Sequence, residues 1–352
     1  MNDIKQRESL YDISWQVDEP EYRKDQAYSY STIARFHREG FEGLPKLFDK
    51  VESPSLLFGS LVDTLLTGST EEFDNTFVVA EFPAIPDSQV NVIKYIFNSF
   101  SNEYVSLRDV RDVAIINTTE VLDFQKNWKP ETRAKVIKEN GEEYYSLLHL
   151  ATGKTLISTK DYQDAQECVN ALKTSEYTRE YFEPNNPFED DIETFYQLKF
   201  KGSYKNIPLR CMADMIRVDH NKKTVLPIDL KTSFKKEWNF YESFIQWGYW
   251  IQAQLYWFII RQNMDNHPLY KDYELLDYRF IVVSNYSRKP LVWEYKETKV
   301  ETDCYYGNNP IAKIVCKNWR GIVEELHFYM THKPPYPKGI CDINDIIYWL
   351  NR

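Results

Sequence analysis

The stretch "VLPIDLKTS", Val225 to Ser233, sets an acid and a base two residues apart in an apolar segment. Side chains alternate between faces along a strand, so Asp229 and Lys231 share a face. Such a pair alone is equally a surface salt bridge and half of a site. The preceding segment adds to it. "DHNKK" is a turn signal that joins it to "LRCMADMIRV". With Asn221 and Lys222 as the central turn residues, Asp219 falls opposite Thr224 and Asp214 opposite Asp229. Two carboxylates opposed across apolar strands repel. A divalent cation between them removes the repulsion. Hard ions such as Mg²⁺ use one or two carboxylates together with waters and phosphate oxygens. Lys231, one pleat further on, would then stabilise a phosphate or orient an attacking water. The register matters, because a one-residue change in loop length turns Asp214 to the other face. Pro227 cannot donate to a ladder, which implies a bulge or an unpaired position there.

The elements that must position these residues are legible from pattern. A β-rich block runs from "ETFYQLKF" through "DLKTS", with "KGSYKN" as its other turn. A long helix is expected from about Trp238 to Gln262, then strands at "YRFIVVSN" and "PLVWEYKE". Upstream, Ser29 or Ser31 can cap a helix over "STIARFHRE". "SPSLLFGSLVDTLLTGS" is helical, with Leu57, Leu61, Val62, Leu65 and Leu66 on its apolar face and Gly59, Ser60, Asp63 and Thr67 on the other. "FDNTFVVAEFPAIP" reads as a strand entering a loop. Residues 86 to 150 are polar with helical patches and carry no recognisable chemistry. An amphipathic helix follows around Tyr162, capped by Ser158 or Thr159. From about Asn308 the chain is expected to be mostly helical, with a proline break at "HKPPYPKG". The whole reads as a mixed sheet flanked by helices, α/β or α+β.

Composition sets outer bounds. The chain has 352 residues, 43% hydrophobic and 16% aromatic, enough for a substantial core. No apolar run reaches membrane-spanning length, and the start "MNDIKQRESLYD" lacks the apolar core of a secretory signal. A cytoplasmic protein is expected. Cys168, Cys211, Cys304, Cys316 and Cys341 are scattered without a CxxC, which suggests neither a disulfide framework nor a zinc or iron–sulfur site. Net charge is −10. Between Lys199 and Lys236, however, ten basic residues face three acids, leaving +7 there and −17 elsewhere. A basic segment in an acidic protein can focus an anionic ligand.

The pattern Asp214, hairpin, Asp229-x-Lys231 resembles the metal-binding core of the PD-(D/E)XK nuclease superfamily. Gln252 and Tyr256 match the Q-x-x-x-Y spacing of its RecB-like branch. "SLLFGSLVDTLL" resembles the upstream helix of phage RecE-type exonucleases, and the helix near Tyr162 resembles the segment before their core. The resemblance spans discontinuous parts of residues 28 to 260. It implies a restriction-endonuclease-like core in a single nuclease domain over 1–352. Within it would lie an N-terminal helical part over 20–80, a variable insertion and amphipathic helix over 86–185, a catalytic core over 190–300 and a C-terminal helical extension over 301–352.

By the same resemblance Asp214 and Asp229 are metal ligands, the backbone carbonyl of Leu230 is a further one, and Lys231 is the catalytic lysine. Asp63 stands where a metal-binding histidine is usual; a carboxylate can replace it toward Mg²⁺ or Mn²⁺. Gln197 stands where some relatives have a glutamate. Gln252, Tyr256, Thr232 and Ser233 would support the site or touch phosphate, against plain readings as core, helix surface or strand cap. Lys235 and Lys236 would contact the DNA backbone. The implied activity is 5′-to-3′ exonuclease action on double-stranded DNA ends, in a homo-oligomer working with a single-strand annealing protein. A phage-encoded protein of this kind would act in the host cytoplasm. The CRISPR-associated branch carries an iron–sulfur cluster, which the cysteine positions here do not suit. A non-catalytic DNA-binding protein that kept the fold is the reading from another class.

Overall fold

The structure is a computed structural model that describes residues 8–51, 53–183, 191–296, 301–306, 309–315 and 317–332. Its contacts divide the chain into two units: Ser53–Ala171, and the residues before and after that segment. The Ser53–Ala171 unit takes in the helix that carries Asp63.

In the Ser53–Ala171 unit, Ser53 caps the helix Pro54–Thr67 by accepting the Leu56 N–H at 3.2 Å. Strands β1 (Phe77–Ala80) and β2 (Thr155–Ser158) pair in parallel. Helices Asp87–Phe100, Asp112–Val121 and Pro130–Leu150 close over a core that includes Val92, Ile93, Ile96, Ile115, Ile137 and Tyr144. The polar composition of this stretch conceals that core, because the apolar residues are spread at helical spacing. Ser158 accepts the Asp161 N–H at 3.0 Å at the start of the helix Thr159–Thr174.

The other unit is built on a mixed sheet of order β3 (Ile192–Tyr204), β4 (Ile207–Asp219), β5 (Thr224–Ser233), β7 (Arg279–Ser284) and β8 (Pro290–Glu294), with the short β6 (Glu274–Leu275) also on β5. Lys205 and Asn206 form a two-residue turn with φ 49° and 64°, the left-handed pair that matches the twist of a tight hairpin. The β4–β5 register pairs Asp219 with Thr224 and continues to Met215 with Ile228, as the turn residues predict. Pro227 pairs in step with Ile216, without a bulge. On the other edge of β5, β6 reaches Val225 and β7 begins at Ile228, so Pro227 lies in the gap between them. The unpaired position is there, where a missing N–H removes no rung.

Two expectations are corrected. The long helix is two, Phe240–Trp247 and Tyr249–Asp265, separated at Gly248, whose φ of 68° glycine adopts without strain. The C-terminal extension is not mostly helical from Asn308. Strands β9 (Glu301–Tyr306) and β10 (Asn309–Val315) pair antiparallel before the helix Trp319–Thr331. Three of the six residues of "PIAKIV", Ile311, Ile314 and Val315, are β-branched, which favours the strand. "HKPPYPKG" lies outside the described residues except for its first letter. The helix Tyr249–Asp265 packs on β3 and β4, and its Ile251, Leu255, Ile259 and Ile260 are buried in the main core. Among the described residues no helix is long and apolar enough to cross a membrane.

Candidate active site

The ladders around Asp214 stop short of it. On one side β5 pairs only as far as Met215 with Ile228. On the other, the β3 register runs Tyr196 with Met215 and Leu198 with Ala213 and passes over Gln197, which takes φ 54°. A left-handed backbone costs a non-glycine residue about 1–2 kcal/mol. Gln197 thus stands across from Asp214, and it offers an amide there, not a carboxylate. With the rung to β5 missing, the Leu230 N–H donates to Asp214 Oδ2 at 3.0 Å. Side chain replaces backbone in the ladder, and that holds the carboxylate against β5.

Asp229 is fully buried. Its Oδ1 accepts from Gln252 Nε2 at 2.5 Å, and its Oδ2 is ion-paired with Lys231 Nζ. Gln252 reaches it from the buried face of the helix Tyr249–Asp265. Tyr249, three residues before Gln252 and so on the same helix face, puts its ring 5.2 Å from Lys231 Nζ. Sequence reading missed Tyr249; its spacing to Gln252 is the signal that would have found it.

The electrostatics follow from this packing. Burial first, and then the charge of Asp229, push the Asp214 carboxyl up to about 8; Lys231 and the Leu230 N–H pull the other way. Burial works against the Lys231 ammonium, but Asp229 and Asp214 outweigh it, so the lysine sits above its ordinary range and keeps its proton. Behind Asp229, burial holds the Tyr256 and Tyr278 phenols well above theirs. Tyr256 packs edge-on to Tyr278 with ring centres 6.2 Å apart.

The unit therefore gathers Asp214, Asp229, Leu230, Lys231 and Gln252, with Tyr256 in the adjoining core. Thr232 and Ser233 complete β5 opposite Val283 and Ser284. The Ser233 hydroxyl accepts the Lys235 N–H at 3.1 Å, so it acts as a strand-end cap. Lys235 is ion-paired with Glu242. Lys236 is exposed and stands over the Trp238 ring. Asp63 is on the helix Pro54–Thr67 of the other unit, where its carbonyl accepts the Thr67 hydroxyl at 3.0 Å. Among the described residues no three His, Cys, Asp or Glu side chains form a metal cage. The basic segment is also less open than its sequence implies. Lys201 pairs with Asp25 at 2.6 Å, Lys205 with Glu324 at 2.9 Å and Lys222 with Asp219 at 3.0 Å, while Arg210 is buried.

Two carboxylates side by side, one fully buried and both oxygen donors, suit a hard divalent cation that keeps waters and takes phosphate oxygens as its remaining ligands. They do not make a complete protein cage.

No protein-family model matches the chain, and no curated protein matches it. Among solved structures it resembles one from Eubacterium rectale described as a "putative exonuclease", at 14% identity and a TM-score of 0.38, over 81% of this chain and 79% of that one.

Proposed function

We propose that this protein is a divalent-metal-dependent nuclease. The observation that carries the reading is the meeting of Asp214, Asp229 and Lys231 at a break in the β4–β5 ladder, with Gln252 fixing Asp229. Two carboxyls that oppose each other's ionisation in a buried sheet are a poor structural device and a good ligand set. Asp214 and Asp229 would hold Mg²⁺ or Mn²⁺, with the Leu230 carbonyl as a further ligand by the sequence resemblance. The cation would polarise a phosphate and lower the pKa of a bound water.

The chain's own residues do the rest. The two carboxylates favour the Lys231 ammonium, which would donate hydrogen bonds to phosphate and leaving oxygens as charge builds there. Gln252 fixes the orientation of Asp229, and the Leu230 N–H that of Asp214. Lys236 would meet the DNA backbone. Double-stranded DNA ends, 5′-to-3′ direction, a homo-oligomer and an annealing partner for recombination extend this reading by resemblance.

The test is purified protein with Mg²⁺ on linear and circular duplex DNA carrying a 5′ or 3′ end label. Digestion of linear DNA that stops in chelator and in Asp229→Ala supports the reading. Equal digestion by wild type and Asp229→Ala would sink it. The reading from another class is a DNA-binding protein that kept the fold without catalysis, and the intact Asp214, Asp229 and Lys231 speak against it. Calorimetry with Mn²⁺ separates the two, since that protein would bind DNA and no metal.

A further inference from the structure

The loops beyond the site carry an unusual surface. Lys231 is two residues from the end of β5. Phe234 comes directly after the strand and is 59% exposed; Trp238 is also 59% exposed. The loop after the neighbouring β7 adds Tyr286, 71% exposed. The Lys236 ammonium lies between the last two rings, 5.0 Å from the Trp238 centre and 5.5 Å from that of Tyr286.

These loops are tied down. The Asn285 N–H donates to the Ser233 carbonyl at 2.9 Å. The Ser287 hydroxyl donates to Glu237 Oε2 at 2.7 Å, joining one loop to the other. Ser284 Oγ accepts the N–H groups of Tyr286 and Ser287 at 3.2 and 3.1 Å. The rings are therefore presented to solvent by a braced frame. Large aromatics exposed together mark a binding surface.

The chemistry of the patch selects its occupant. Cores of protein interfaces are depleted in lysine, whereas single-strand sites combine aromatic faces with cations along the backbone path. Bases in a duplex are already stacked on one another, so open ring faces favour unpaired ones. Distance agrees. Three residues of extended chain, at about 3.3 Å each, carry Phe234 about 10 Å beyond Lys231, roughly three stacked nucleotides away.

We infer that Phe234, Trp238 and Tyr286, with Lys236 between the latter two rings, form a stacking platform for an unpaired DNA strand passing the Asp229–Lys231 site. The inference rests on the nuclease reading for its substrate class. The platform guides a single strand by stacking, without base-specific contacts, so its preference is for unpaired over paired DNA and not for sequence.

The experiment uses the full chain and fluorescein-labelled oligothymidylate, with a blunt duplex of the same length as control. Anisotropy is read in Ca²⁺ to suppress cleavage. Trp238→Ala and Tyr286→Ala each weaken oligothymidylate binding by about fivefold to a hundredfold, as loss of one stacked base does. Trp238→Phe and Tyr286→Phe stay within about twofold, because each keeps a ring. Blunt-duplex binding changes little in all four, and near-UV circular dichroism confirms that they fold. Alanine variants that bind the oligomer as wild type does would overturn the platform, as would wild type that does not bind it at all. A protein partner on this surface predicts that same first result. Cleavage is scored separately in Mg²⁺. Ring-dependent binding without cleavage removes the nuclease reading and leaves the platform; cleavage without ring-dependent binding does the reverse.

Discussion

The β4–β5 hairpin buries polar groups at both ends and treats them differently. At the turn, each group has a partner. His220 Nδ1 meets the Tyr273 hydroxyl at 2.8 Å and Nε2 meets Glu193 Oε2 at 3.0 Å, while Asp219 Oδ1 accepts the Lys222 N–H at 2.9 Å. The ladder beside it is unbroken from Asp219 to Met215. At the other end the ladder fails, a glutamine is held left-handed, and two carboxylates share one region with one lysine. The turn end is what a sheet does with polar residues when only stability matters. The open end accepts backbone strain and two carboxyls that oppose each other's ionisation, features that persist only where the surrounding structure over-determines them and that cluster at functional sites.

That contrast can be broken by mutation. Asp229→Ala and Lys231→Ala should each lower Mg²⁺-dependent DNA cleavage by about a hundredfold to a thousandfold, on the scale of losing a principal transition-state stabiliser. Thermal melts should show both variants folded. Gln252→Ala acts one step removed, by freeing Asp229, and should cost about 10–100-fold in activity or metal affinity. Its signature is partial recovery at high Mg²⁺, which Asp229→Ala cannot show. A Gln252→Ala enzyme with wild-type metal dependence would mean that the 2.5 Å hydrogen bond to Asp229 is incidental.

The turn end predicts the reverse. His220→Ala removes the buried hydrogen bonds to the Tyr273 hydroxyl and Glu193, and should cost about 1–3 kcal/mol of stability. Chemical denaturation measures it. Specific activity of the folded fraction should stay near wild type, since His220 belongs to the other end of the hairpin. Loss of activity at full stability would erase the distinction between the two ends.

How far the sequence already revealed this differs between those ends too. The turn residues set the register, and five cross-strand pairs follow it. Strand alternation put Asp229 and Lys231 on one face. The pairing of Asp214 with Asp229 was an extrapolation of that ladder, and there the regular pattern ends; the Asp214 side chain, not its backbone, meets β5. Local pattern cannot foresee a rung that tertiary packing removes. The break at Gly248 was legible in principle, because a lone glycine in a helical run is a stop signal, but the aromatic run around it read as continuous. Likewise, a count of basic residues did not reveal how many of them neighbouring acids neutralise, since Asp25, Glu242 and Glu324 lie far away in the chain or in other elements.

The acid pair also makes a prediction about pH. In the metal-free protein burial and Asp229 raise Asp214 to about 8, against about 3.9 in an unfolded chain. The folded state then holds a proton that the unfolded state has released, so stability from this group is complete below about pH 4 and is lost as pH rises toward 8. With one proton involved, the slope cannot exceed about 1.4 kcal/mol per pH unit. Lys231 is shifted upward as well, but its contribution is lost only above the ordinary lysine range and leaves this window untouched. A cation on the carboxylates needs that proton gone, so Mg²⁺ should stabilise little at pH 5 and increasingly toward pH 8, with proton release measurable by calorimetry in buffers of different ionisation enthalpy. Asp214→Asn removes the titrating group. It should flatten the metal-free profile and abolish the Mg²⁺ response together. If the profile flattens while the Mg²⁺ response persists, Asp214 is a strained structural residue and the ligands lie elsewhere, and the two ends of the hairpin are more alike than their geometry implies.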